Sequence, residues 1–168
     1  MKRLLLLRHA KSSWDDPALD DLERPLAPRG QKAARRLAAW LRTVDVRPEL
    51  VLCSPALRAR RTLEAIADGL GTPTVVVDER LYHASPQALL ACVREIDDEL
   101  DEALLVGHNP GLAELCLELA RDSERRSRVA AKLPTGAFAI LETDVAQWRA
   151  FGPRCAELAE LVLPRELG

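Results

Sequence analysis

The chain has 168 residues, 48% of them apolar, which suits one domain spanning 1–168 around a single hydrophobic core. Lys and Arg number 24 against 26 Asp and Glu, a formal net charge of −2, so the overall field excludes a strong draw toward nucleic acid or an anionic membrane surface. The opening MKRLLLL is too short for a secretory signal, because Arg8 ends a run that would need about 7–15 apolar residues, and no window approaches the roughly 20 apolar residues of a membrane span. A cytoplasmic monomer with neither nucleic acid nor membrane as a partner is expected.

In chain order, residues 3–7 read as a strand, Arg3 leading into a continuous run of four leucines, the pattern of a strand covered on both faces as in a parallel sheet. The Pro- and Asp-rich stretch DDPALDDLERPLAPRG then reads as a long loop, of a length that tends to be functional or mobile in a small domain. Ala34, Leu37, Ala38 and Leu41 fall at helical spacing, predicting a helix over 31–41 with one buried stripe. A strand at 50–53 leads into Ser54-Pro55, read as a cap and a first-turn proline, with a helix running to about Leu70 and stopping at Gly71. A β-branched strand at 74–77 precedes a second Ser-Pro helix start in SPQALLACVREI. EALLVGHNPGLAELCLELA repeats the formula, with His108 or Asn109 near the cap and Pro110 in the first turn, and GAFAILET closes as a strand. This alternation predicts an α/β fold: a three-layer, doubly wound, mainly parallel sheet with helices on both faces.

The polar residues fall at one edge of that sheet. Arg8 and His9, the segment from Ser54 to Arg58, and His108 all sit just past a predicted strand end, where open α/β sheets bind ligands. Arg8, Arg58 and Arg24 together with two histidines would suit a tetrahedral dianion, since guanidinium forks match phosphate oxygens and helix starts add backbone donors. A histidine in such a pocket can accept a phosphoryl group, splitting one displacement into two easier ones. Taken singly, an arginine at a strand end is usually a solvated charge and a turn histidine usually a structural residue; the conjunction is what points to chemistry. Arg60 and Arg61 read as surface charges. Cys53, Cys92, Cys116 and Cys155 lack the close pairs of redox or zinc sites and read as small buried hydrophobes. Neither HExxH nor GxxxxGK[ST] occurs, and no metal or cofactor is expected.

LLLLRHAKSSW, CSPALRARRT and VGHNPG resemble, in order, the three signature segments of the histidine phosphatase superfamily, also called phosphoglycerate mutase-like. The short chain, the ERPLAPRG loop and the RHA form of the first motif resemble its SixA branch of protein-phosphohistidine phosphatases. The resemblance covers residues 1 to about 119 and is diffuse beyond. It implies that His9 is the nucleophile, that Arg8 binds the phosphoryl oxygens, and that Arg58 and His108 complete the phosphate pocket. Arg24 matches the arginine before the PL pair that contributes to the anion site. Ala10 replaces the glycine of the commoner motif, which asks only for ordinary negative φ or a little extra room.

Many relatives carry a glutamate acid soon after the third strand, where this chain reads DERLYHAS. Glu79 and His83 are the candidate acids, with a polar strand end and a surface histidine as their plainer readings. An imidazole expelled from phosphohistidine can leave already protonated, whereas an alkoxide needs a donated proton, so a missing carboxylate favours a P–N substrate. The expected activity is therefore a metal-independent phosphatase acting on phosphohistidine of a phosphorylated protein. The alternatives are a phosphomonoesterase for a small sugar or nucleotide phosphate ester, which would need Glu79 or His83, and a phosphohistidine-binding module without turnover. Trp40 reads as packing on the helical stripe, and Trp14 either walls the pocket or anchors its loop.

Overall fold

The computed structural model describes residues 1–168. Its centre is a six-stranded sheet built from β1 (Lys2–Arg8), β2 (Leu50–Cys53), β3 (Thr74–Val77), β4 (Glu102–Gly107), β5 (Phe138–Thr143) and β6 (Glu157–Val162). The strand order is β3-β2-β4-β1-β5-β6. The first four strands pair in parallel, while β5 lies antiparallel to both β1 and β6. Five helices flank the sheet: α1 (Pro28–Leu41), α2 (Leu57–Ile66), α3 (Pro86–Arg94), α4 (Gly111–Leu119) and α5 (Glu124–Ala131).

The four leucines of β1 are central and are each 0–1% exposed. Alternation along the strand sends Leu4 and Leu6 into the core beneath α3, α4 and α5, and Leu5 and Leu7 into the core beneath α1 and α2. A strand covered on both faces has no polar side to show, which is why the run reads as unbroken leucine. Each such side chain is worth about 1.5–3 kcal/mol of burial, so this strand anchors both halves of the molecule. β3 is the opposite case, an edge strand whose Val75, Val76 and Val77 stay 42–51% exposed.

The expected elements are present, with local differences. α1 begins at Pro28, about a turn earlier than the expected start at 31, and Gly30 lies against the β1–α1 loop so closely that a Cβ would sit 2.1 Å from the Lys11 carbonyl oxygen. Ser54 does not cap α2: the helix starts at Leu57 with Ala56 as its N-cap, and the Ser54 hydroxyl accepts from Ala56 N–H at 3.2 Å, just before the helix, while also meeting His108. Ser85 does cap α3, accepting from Ala88 N–H at 3.1 Å. Pro110, rather than His108 or Asn109, is the N-cap of α4. α5 and β6 carry no clear signal in the sequence. The α5 segment is strongly polar, and ELAELV is rich in helix formers yet extends because β5 offers it a ladder. Cys53, Cys92 and Cys116 are buried, whereas Cys155 is half-buried. Trp40 packs edge-on to Phe138 with ring centroids 6.0 Å apart. No helix is long and apolar enough to cross a membrane.

Candidate active site

The ends of β1, β2 and β4 are brought level by their parallel register, which pairs Arg8 with Gly107 and Cys53 with Val106. His9 N–H extends the ladder to Gly107 O at 3.1 Å, and Ser54 N–H reaches Val106 O at 3.0 Å. The three segments after these strands therefore open onto one place. There a cleft of about 310 Å³ is lined by Arg8, His9, Arg24, Arg58, His83 and His108, among other residues. Of the seven candidates only Glu79 lies outside the lining, exposed at the start of a 3₁₀ turn (Glu79–Leu81).

His9 is 6% exposed, and its Nδ1 lies 2.7 Å from its neighbour's carbonyl, Ala10 O. A carbonyl can only accept, so Nδ1 carries the proton and Nε2 keeps its lone pair. Burial pushes the His9 pKa down to about 4; the Ala10 bond opposes this, and the charges of Arg58, Arg8 and Arg24 add to the lowering. His108 stands 5.0 Å away, ring centroid to centroid. Its Nε2 is 2.7 Å from Ser54 Oγ and its Nδ1 is 3.5 Å from Arg58 Nη2, a group that can only donate. His108 therefore donates from Nε2 to the serine. Burial, then His9 and Arg58, push its pKa down to about 3. Both imidazoles are neutral near pH 7.

The arginines are held by carbonyls and by one carboxylate. Arg8 donates from Nη1 to Leu133 O at 3.0 Å. Arg58, on the first turn of α2, donates to Asp21 O at 2.7 Å and to Asp21 Oδ2 at 2.9 Å. Arg24 donates to Asp21 Oδ1 at 3.1 Å and Ser12 Oγ at 2.8 Å, and its guanidinium carbon lies 3.5 Å from the centroid of the Trp14 ring. The Tyr82 hydroxyl also donates to Asp21, at 2.5 Å. Burial raises the Asp21 carboxyl, but hydrogen bonds from Tyr82, Arg58 and Arg24 outweigh it and hold the group far below the ordinary carboxylate range. The Nε atoms of Arg8 and Arg58 are buried without an acceptor. Bound oxyanion oxygens would satisfy both donors.

The sequence does not single out Asp21, and it reaches Ser54 and Tyr82 only by place, Ser54 in the segment at the strand end and Tyr82 beside His83 near the acid position. Asp21 is one of many acids in its loop, and only the folded 3₁₀ turn (Asp21–Glu23) brings it against Arg58. Trp14 both lines the cleft and stacks on Arg24, so the two readings of that residue coincide. Ala10 is 1% exposed and keeps negative φ, so its methyl packs into the core without strain. His83 reaches the cleft on a left-handed backbone turn with φ 52°. No group of three or more His, Cys, Asp or Glu side chains is arranged to hold a metal ion.

The family model of the histidine phosphatase superfamily (branch 1) matches residues 4–88. The uncharacterized protein Rv1276c of Mycobacterium tuberculosis is 36% identical over 163 residues, 95% of this chain and 100% of that one. Phosphohistidine phosphatase SixA of Escherichia coli is 32% identical over 120 residues, 70% of this chain and 73% of its own length. The solved structure of a protein histidine phosphatase SixA complexed with tungstate superimposes with a TM-score of 0.79 at 26% identity, over 99% of each chain. Motifs, fold and relatives agree, and the chain belongs to the histidine phosphatase superfamily, in the SixA-like branch of phosphatases.

Proposed function

We propose that this phosphatase hydrolyses phosphohistidine on a protein, through a phosphohistidine intermediate on His9. Nε2 of His9 attacks phosphorus, the bond from phosphorus to the substrate imidazole breaks, and that imidazole leaves with the electron pair. If its other nitrogen is already protonated it departs neutral, and no donated proton is needed. Arg8, Arg58 and Arg24 stabilise the equatorial oxygens, with His108 beside them. Water then adds to phosphorus, its protons remain on the released phosphate, and His9 regains its lone pair at Nε2.

The observation that carries the substrate class is the state of the one carboxylate at the site. Asp21 is committed to Arg58, Arg24 and Tyr82 and is held ionised, so it has no proton to give an alkoxide. The SixA names of two relatives point the same way. The second reading, a small phosphate ester, rests on His83, the one candidate acid that reaches the cleft.

The test is turnover with chelator present on a phosphohistidine-bearing protein, phosphoramidate, p-nitrophenyl phosphate and sugar phosphates. A preference for P–N bonds is expected, and His9→Ala should lower turnover at least about 10³-fold and abolish acid-labile, alkali-stable phosphate on the enzyme. Full turnover by His9→Ala would sink the mechanism. Preference for alkyl esters, lost in His83→Ala, would move the substrate to metabolites.

A further inference from the structure

The loop between β1 and α1 exposes two large apolar side chains beside the cleft. Trp14 is 70% exposed and Leu22 is 41% exposed. Asp15, Asp16, Asp20 and Glu23, all exposed, lie on the same loop. A tryptophan left in water is costly, and this one is not loose. One face is stacked on Arg24, which is 7% exposed and tied to Ser12 and Asp21. The loop itself is fastened at its base by Ser13 N–H to Pro25 O at 2.8 Å and Ala27 N–H to Lys11 O at 2.9 Å. An aromatic platform fixed in advance spends little entropy when it is covered.

Charge says what covers it. The cleft floor is cationic, with Arg8, Arg24 and Arg58, and the buried Nε of Arg58 there lacks an acceptor. The loop that borders the cleft at Trp14 carries the opposite sign, in Asp15, Asp16, Asp20 and Glu23. A compact acidic metabolite would meet attraction at the floor and repulsion at that loop, whereas a polypeptide with phosphate at its centre and basic side chains around it complements both. Resting on the phosphohistidine reading above, we infer that the Trp14–Leu22 surface is the docking site for the protein substrate, and that it selects a phosphohistidine flanked by an apolar side chain and by Lys or Arg.

Two synthetic phosphohistidine peptides test this, one flanked by Leu and Lys and the other by Ser and Glu, with phosphoramidate as the reference that has no flanks. Wild type should favour the Leu/Lys peptide at least about tenfold in kcat/KM, and the preference should shrink at high salt. Trp14→Ala should lower the ratio of Leu/Lys-peptide to phosphoramidate kcat/KM about tenfold, mainly through KM, with Trp14→Phe retaining most of it. Asp15→Lys combined with Asp16→Lys should erase or invert the choice between the peptides. Equal losses on peptide and phosphoramidate in Trp14→Ala would overturn the proposal, by making Trp14 a support for Arg24 alone. So would wild type showing no preference between the peptides. If neither peptide nor phosphoramidate is turned over while an ester is, the phosphohistidine reading itself fails, and the docking proposal with it.

Discussion

At the scale of the residue, Asp21 has the least expected position, a carboxylate set against the arginines that would bind an anion. Its negative charge offsets part of the field of Arg58 and Arg24 and so weakens their hold on phosphate. For an enzyme that must release phosphate each cycle, that moderation is useful. Asp21→Asn keeps the shape and an acceptor for Tyr82 while removing the charge. It should bind inorganic phosphate several-fold more tightly, an effect of about 1 kcal/mol across a partly exposed site, read as a lower Ki for product inhibition. Weaker binding would show instead that Asp21 serves to aim Arg58. Arg8, His9 and His108 are visible in the sequence because each closes or directly follows a strand: Arg8 ends β1, His9 follows it and His108 follows β4. Asp21 follows no such rule; among the acids of DDPALDDLE, only the fold chooses it.

At the scale of the element, the first and second signature segments are pinned together by Thr62. This fully buried residue of α2 donates from Oγ1 to Arg58 O at 2.7 Å and accepts from Ala10 N–H at 2.9 Å. One hydroxyl thus fixes the spacing between the Arg58 turn and the backbone beside His9. Thr62→Val preserves shape but strands the buried Ala10 N–H, and should cost about 1–3 kcal/mol in urea unfolding with a parallel fall in kcat/KM. Thr62→Ser should restore most of both, and a valine variant as stable as wild type would refute the pin. Elements with Ser-Pro starts or β-branched runs could be read in advance. Ser54 shows the limit, since its sequence neighbours advertise a helix cap while tertiary packing gives its hydroxyl to His108. β6 shows it again, because Leu, Ala and Glu name no strand until β5 is beside them.

At the scale of the whole molecule, folding places His9 and His108 where their charged forms are disfavoured, and the unfolded chain releases them to take up protons. Between the ordinary histidine value of 6.5 and their folded values of about 4 and about 3, the unfolded state binds more protons. Stability therefore rises with pH across that window and falls on acidification. Asp21 adds in the same sense at lower pH, because its depressed carboxyl protonates more readily once unfolded. The melting temperature should drop steadily from pH 7 to pH 4.5, and a His9→Gln, His108→Asn double variant should flatten that slope. An unchanged wild-type melting temperature over the range would contradict the buried neutral imidazoles. The parallel core of the sheet was legible because its strands alternate with helices. The reversal at β5 was not, because a strand's direction is written in its connections rather than in its residues. The bridge from Ser12 to Leu26, antiparallel and set at the foot of the long loop, has a consequence for descent. Chain leaves and rejoins the body at one point, so residues 15–20 within the segment can lengthen, shorten or change wholesale while β1, α1 and the site's Asp21 and Arg24 stay in place, at an entropic cost that grows only with the logarithm of length. A lineage can in this way inherit its chemistry unaltered and exchange its clientele.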